Sequence, residues 1–122
     1  MKKTILIVDN EEYWIEEISN KLKKIGYETI EINNADLAVS KINKGLEYDA
    51  MILDTNMYGK DVNEKGSDLV ARVSLKKNPK KPIIIFSAWK TYIEGATTFF
   101  AKLESESLFY YLNQYFKENQ KP

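Results

Sequence analysis

Side chains capable of chemistry recur at the ends of the apolar runs in this sequence. They comprise two carboxylates, an amide, a hydroxyl and an ammonium group: Asp9, Asn10, Asp54, Ser87 and Lys102. A single polar residue after a strand commonly does no more than cap a turn. As a set, however, these groups combine hard oxygen ligands for a cation with a positive charge for an anion.

Residue types that are missing narrow the chemistry further. The chain contains no His and no Cys. A disulfide framework, a thiolate nucleophile and a cysteine metal site are therefore excluded, as is the commonest protein base. Any reaction has to rest on carboxylates, hydroxyls and lysines.

Composition predicts one globular domain. The 122 residues suffice for one core, and 43% hydrophobic with 30% charged residues is an ordinary globular balance. Basic and acidic residues number 18 each, so no net positive field attracts nucleic acid or an anionic membrane. No apolar run approaches the ~20 residues of a membrane span, and the N-terminus becomes charged too soon for a secretory signal. We therefore expect a cytoplasmic protein without nucleic-acid or membrane partners.

The apolar runs that end in these polar residues predict strands. "TILIV", "AMIL" and "IIIF" are typical of strands buried on both faces of a parallel sheet, while "ETIEI" and "TTFFA" are weaker strand patterns. Helical periodicity separates most of them. Strand and helix alternate along the chain, which predicts a doubly wound α/β domain with its ligands at the carboxyl ends of the strands.

Apolar residues at helical spacing predict four inward-facing helix stripes. These are Ile15, Ile18, Leu22 and Ile25 before Gly26; Ala35, Ala38, Val39 and Ile42 after the cap Asn34; Leu69, Val70 and Val73; and Leu108, Tyr111, Leu112, Tyr115 and Phe116.

The ordered motifs "ILIVDNEE", "YDAMILDTNMYGKD", "PIIIFSA" and "FFAK" resemble the receiver domain of two-component response regulators over nearly the whole chain. The resemblance implies a flavodoxin-like α/β fold with a five-stranded parallel sheet in the order 2-1-3-4-5, as a single receiver domain over residues 1–122. Because Pro122 follows the last helix closely, we expect no attached effector domain.

The resemblance also implies a chemistry. Asp54 is then the phosphoacceptor, and magnesium is held by Asp54, Asp9, Asn10 and the backbone carbonyl of Asn56. Phosphoryl transfer of this kind needs an in-line nucleophile and positive charge on the phosphoryl oxygens. The protein would catalyse its own phosphorylation and dephosphorylation at most, and would not otherwise be an enzyme.

Three further residues take switch roles by the same resemblance. Lys102 matches the invariant lysine, Ser87 the switch hydroxyl, and Phe99 the aromatic that changes rotamer on activation. Phosphorylation would thereby change a protein-interaction surface. Without a His of its own, the chain needs an external donor, a histidine kinase, a histidine phosphotransfer protein or a small phosphodonor, and it acts on a downstream protein target.

The sequence departs from the family pattern near the site. Asn10 replaces an acidic residue, which predicts weaker magnesium binding, or a cap for the first helix, or both. Tyr58 replaces a proline, and "KDVNEKG" lengthens the following loop. Leu103 replaces the proline after Lys102, and a lysine here can also be a solvated strand end.

The segment between Ser87 and Lys102 is shorter than in the family, so the fourth helix is expected to be truncated or absent. Trp89, Tyr92, Phe109 and Tyr110 could form an exposed aromatic interface, or could pack into the space the helix leaves.

Two rival functions follow from the sequence. One is a pseudo-receiver that keeps the fold as a phosphorylation-independent interaction module, as Asn10 and Leu103 suggest. The other, a flavin or nucleotide binder, is disfavoured because no glycine- or Ser/Thr-rich phosphate loop follows the first strand. Trp14 and Trp89 are expected near the rim of the site.

Overall fold

A computed structural model describes residues 2–55, 66–88 and 93–119 of the chain. Three of the predicted site residues, Asn56, Trp89 and Tyr92, lie outside the described residues. So do Tyr58 and the lengthened loop as far as Lys65.

The described residues form one parallel sheet of five strands. The strands are β1 (Thr4–Val8), β2 (Glu28–Ile32), β3 (Ala50–Leu53), β4 (Ile83–Ser87) and β5 (Thr98–Ala101). Their spatial order is β2-β1-β3-β4-β5, with every neighbouring pair parallel. Strands β3 and β4 are buried along their whole length, as expected for continuous apolar runs. The predicted fold is confirmed.

In the described ranges, four helices cover the two faces of the sheet: α1 (Glu12–Lys24), α2 (Ala35–Asn43), α3 (Gly66–Lys77) and α4 (Ser105–Glu118). Asn34 caps α2 as predicted, accepting a 2.7 Å hydrogen bond from the amide of Leu37. A short 3-10 turn, Lys102–Glu104, joins β5 to α4. Between β4 and β5, the residues that the structure describes contain no helix, in agreement with the expected loss of the fourth family helix.

Alternate residues of each central strand feed two separate cores. On one face Leu6 and Val8 pack with residues of α2 and α3, and on the other Ile5 and Ile7 pack with α1 and α4. The two cores arise because successive side chains of a strand point to opposite faces of the sheet. The sheet is therefore held from both sides, and its carboxyl edge is left to the loops.

Several predicted helix positions need correction. Ile25 does not face the core: it lies just after α1 and is 48% exposed, because Gly26 reverses the chain in a left-handed conformation there. In α3 the fully buried stripe includes Val70, Ala71 and Ser74, while the predicted Leu69 and Val73 are only half-buried.

Two expectations about polar and aromatic positions are also wrong. Asn10 does not cap α1, because the helix begins one residue later, with Glu11 at the capping position and no side-chain cap. Phe109 is not exposed: it is buried in the core beneath α4, whereas its neighbour Tyr110 is 68% exposed. The proposed aromatic interface therefore loses one of its members.

None of the helices in the described part of the chain has both the length and the apolar character needed to cross a membrane.

Candidate functional site

Strand register brings two carboxylates together at the carboxyl edge of the sheet. Val8 of β1 pairs with Leu53 of β3, so the residues that follow, Asp9 and Asp54, leave adjacent strands side by side. The Asp54 amide donates a 2.9 Å hydrogen bond to the Val8 carbonyl, which continues the ladder to the site. Both carboxylates are deeply buried, with about 6% and 7% of their side chains exposed.

Lys102 reaches these carboxylates from the end of β5, the edge strand on the far side of β4. It follows Ala101, which pairs with Ser87, and begins the 3-10 turn after β5. Its ammonium nitrogen Nζ lies 2.5 Å from Asp9 Oδ2 and 3.6 Å from Asp54 Oδ1. The side chain is only 6% exposed, so the alternative of a solvated strand end is wrong.

The surroundings of Asp9 disfavour the charged form of its carboxyl group. Burial, which withdraws its carboxylate from water, raises the pKa of Asp9, and the nearby charge of Asp54 adds to the rise. The hydrogen bond from Lys102 and one from the Glu11 amide, 2.9 Å to Asp9 Oδ1, oppose it. Among the residues that the structure describes at this site, two carboxylates face one ammonium group.

Ser87, the predicted switch hydroxyl, has a partner that sequence reasoning missed. The hydroxyls of Ser87 and Thr55 form a buried hydrogen bond of 2.5 Å. The β3–β4 register pairs Leu53 with Ile85, and its continuation sets Thr55 opposite Ser87. The sequence does show a Thr directly after the candidate nucleophile. Its contact with Ser87 can be inferred only once the register of β3 and β4 is known.

Ser67, at the start of α3, is a second residue that the sequence did not single out. Its hydroxyl donates a buried 2.7 Å hydrogen bond to the backbone carbonyl of Asp54. Helix α3 thus helps to fix the main chain of Asp54, the candidate nucleophile.

The remaining predicted residues are more peripheral. Asn10 is exposed at the edge of the site. Phe99 is half-buried on β5 and packs against the core shared with α2 and α3. Trp14, as expected, stands at the rim: with Glu11, Asp54 and Lys102 it lines a cleft of about 290 Å³.

The chemistry of these donors suits magnesium. Carboxylate oxygens are the ligands this ion prefers, and Asp9 and Asp54 present them next to one another. The described residues hold no cluster of three or more acidic, His or Cys side chains in position to bind a metal. The excess negative charge around Asp9 is nevertheless what a divalent cation would offset.

The sequence profile of the response regulator receiver domain family matches residues 5–106, most of the chain. The chain belongs to this family, whose members are receiver domains of two-component response regulators. No curated protein matches the sequence.

Solved structures agree with this assignment. The response regulator TrrA from Thermotoga maritima, solved in complex with Mg²⁺ and BeF, is 29% identical with a TM-score of 0.78, and the match covers 93% of this chain and 98% of that one. A CheY-like receiver protein from Methanospirillum hungatei has a TM-score of 0.82 at 19% identity, with 98% of both chains covered. A receiver protein from Sinorhizobium medicae has a TM-score of 0.78 at 19% identity, covering 93% of each chain.

Proposed function

We propose that this protein is a phosphoacceptor receiver that takes a phosphoryl group on Asp54 in a magnesium-dependent reaction. The observation that carries the proposal is the placement of the Lys102 ammonium between the carboxylates of Asp9 and Asp54, at the wall of a solvent-open cleft. A structural ion pair would need one carboxylate, not two.

Asp54 is the nucleophile of the proposed reaction. One of its carboxylate oxygens forms a bond to the phosphorus of the donor while the bond from phosphorus to the leaving group breaks. Two hydrogen bonds, one from its own amide to the Val8 carbonyl and one from the Ser67 hydroxyl to its carbonyl, hold its main chain in place for in-line attack. The product is an aspartyl phosphate.

Lys102 supplies the protein's own positive charge. Its ammonium is 3.6 Å from Asp54 and can approach an oxygen of the incoming phosphoryl group as charge builds there. Asp9 and Asp54 would hold magnesium, with Asn10 and Asn56 as further ligands by family resemblance. When bound, the ion offsets the repulsion between an anionic nucleophile and an anionic phosphoryl group.

Ser87 and Phe99 would transmit the change. A phosphoryl group on Asp54 competes with Thr55 for the hydroxyl of Ser87, which lies in a buried 2.5 Å hydrogen bond before the reaction. A shift of Ser87 moves the end of β4 and frees space for the half-buried Phe99 ring on the neighbouring strand. The output is an altered surface for a protein target.

The proposed phosphodonor is a histidine kinase or a histidine phosphotransfer protein, because the chain contains no His of its own. We propose that the protein acts on no substrate besides its own aspartyl phosphate.

Intact mass after incubation with acetyl phosphate tests this function. We expect one phosphoryl adduct on the wild type with magnesium, and none with EDTA or on Asp54→Asn. Asp49→Asn is the matched control, since Asp49 lies at the opposite end of β3 and should leave the adduct unchanged. An adduct that persists on Asp54→Asn would contradict the proposal.

The direct contact between Lys102 and Asp9 favours a second candidate, the phosphorylation-independent pseudo-receiver. At 2.5 Å the ammonium occupies a carboxylate oxygen that magnesium would need. This candidate predicts no adduct from acetyl phosphate and no change of tryptophan fluorescence with magnesium and beryllofluoride.

A further inference from the structure

The ammonium group of Lys102 is enclosed by aromatic rings as well as by carboxylates. Its Nζ lies 5.1 Å from the centre of the Trp14 ring and 5.8 Å from the centre of the Phe86 ring. Both distances fall within the range of a cation–π interaction, in which the negative ring face attracts a cation. Two anions and two aromatic rings thus surround one charge.

Trp14 is itself fixed in place. Its ring meets that of Phe86 edge to face, with centroids 5.7 Å apart and an interplanar angle of 87°. Its amide donates a 3.1 Å hydrogen bond to the Glu11 carbonyl in the first turn of α1. Because Phe86 is buried in the core and α1 packs on the same core, the indole is a fixed wall of the cleft.

The chain around Lys102 offers the side chain little other support. Leu103, the next residue, is 96% exposed, and only a 3-10 turn separates β5 from α4. A 2.9 Å hydrogen bond from the Ala101 amide to the Glu104 carboxylate orients the backbone of the turn. The position of the ammonium therefore depends on the carboxylates and aromatic rings around Nζ.

We infer that Trp14 is a positioning residue for Lys102, holding the ammonium beside Asp54 through the face of its indole ring. The inference rests on the proposed function, because it assigns the lysine a part in phosphoryl transfer. Trp14 acts through Lys102 and forms no bond to the phosphoryl group.

An aromatic face suits this task because its attraction has little directionality. Lys102 lies closer to Asp9 than to Asp54 before the reaction, 2.5 Å against 3.6 Å. To serve a phosphoryl group on Asp54 the ammonium has to move away from Asp9 and towards Asp54. A hydrogen-bond acceptor would resist that shift, whereas a ring face stays in contact throughout it. The indole also excludes water, which strengthens the remaining charge interactions.

Rates of adduct formation on variants of residue 14 test the inference. Removing the ring with Trp14→Leu is expected to slow phosphorylation by acetyl phosphate roughly 2- to 30-fold, the range that one cation–π contact supports. Trp14→Phe keeps an aromatic face and should recover most of the rate. Leu37→Ala removes an exposed apolar side chain of α2 that does not line the cleft and is the control, with an unchanged rate expected.

Fluorinated tryptophan separates the effect of the negative ring face on Lys102 from the effect of the ring's shape. The chain has two tryptophans, so the series is made on Trp89→Phe, with that variant carrying ordinary tryptophan as its own reference. Added fluorines weaken the negative ring face with little change of shape. A progressive fall of the rate with fluorine number supports the inference, and an equal rate across the series overturns it.

The Lys102 side-chain proton shifts report the contact without any phosphorylation. Ring currents from Trp14 and Phe86 should move the ε-methylene signals upfield in the resting protein, and Trp14→Leu should remove the Trp14 part of that shift and leave the part due to Phe86. If the wild type forms no adduct at all, the proposed function and the inference both fail. If the adduct forms but the shifts are unchanged by Trp14→Leu or the rates are equal, the inference alone fails.

Discussion

The buried carboxylate of Asp9 lowers the stability of the folded state at neutral pH. Its pKa is raised above the ordinary value of 3.8, chiefly by burial and further by Asp54. A carboxyl group with a higher pKa in the folded state binds its proton more tightly there than in the unfolded chain. Its ionisation therefore lowers the free energy of unfolding as the pH rises from 3.8 through the folded-state pKa, and the penalty is complete above that pKa.

Asp9→Asn should consequently stabilise the protein at pH 7 in EDTA. The single amide oxygen can accept only one of the two hydrogen bonds that Asp9 accepts, from the Glu11 amide or from Lys102, but the unfavourable buried charge is gone. We expect a higher melting temperature than that of the wild type at pH 7, and a difference that shrinks as the pH falls towards 4.

Asp36→Asn controls for the loss of a carboxylate in general. Asp36 is exposed in the first turn of α2, where a negative charge is favourable, so its removal should bring no gain. A wild type more stable than Asp9→Asn at pH 7 would show that the Lys102 ion pair outweighs burial.

At this scale the sequence predicted the principal site residues and missed their neighbours. Asp9 and Asp54 were predictable because each directly follows a strong strand pattern, and Lys102 because it ends the motif "FFAK" that resembles the family. Thr55 was not, because its contact with Ser87 depends on the register of two strands, which no local pattern reports.

The connection from β4 to β5 is the element that differs most from the family pattern. Gly95 turns the chain with φ of +90°, and a Cβ there would lie 2.0 Å from Cδ1 of Leu75 on α3. The connection thus packs directly on α3, where it helps to cover the core that includes Ile93.

Gly95→Ala should destabilise the protein by about 2 kcal/mol, one part from the positive φ and one from displacing Leu75. Gly26→Ala is the matched control: its φ is +103° but nothing lies within 4 Å, so about 1 kcal/mol is expected. Urea unfolding measures both. Equal losses would mean that Leu75 moves aside without cost.

Helix existence was predictable from sequence, whereas helix ends and faces were less so. Asn34 was identified correctly because an Asn before an apolar stripe is a strong capping signal. Asn10 gives the same local signal, but the chain first has to carry Asp9 into the site, and the helix begins later. In α3, small residues such as Ala71 and Ser74 form much of the buried stripe, so apolar periodicity misplaced its centre.

The whole molecule is a sheet between two cores, and α4 closes one of them. Leu112 is fully buried there, while Tyr110 on the other side of the helix is 68% exposed. Leu112→Ala should cost about 2–5 kcal/mol of unfolding free energy, and Tyr110→Ala less than about 0.5 kcal/mol. Urea unfolding of the two variants would contradict this arrangement if their losses were similar.

The strand order of the sheet could not be read from periodicity alone. Alternating strands and helices predict a parallel α/β fold, but the order 2-1-3-4-5 came from the resemblance of the motifs to a family. Phe109 illustrates the same limit, because the sequence left open whether this aromatic residue off the regular stripe is exposed or packs inward, and the structure places it in the core.

Reductive trapping of the phosphorylated residue tests the central claim most directly. Borohydride converts an aspartyl phosphate to homoserine, which marks the modified position in a peptide map after reaction with acetyl phosphate and magnesium. Asp9 and Asp54 lie beside the same lysine, and either carboxylate is a conceivable phosphoacceptor. The peptide map distinguishes them because it gives the position of the modified residue. The account predicts homoserine at position 54 alone. Homoserine at position 9, or a map without any modified peptide, would contradict it.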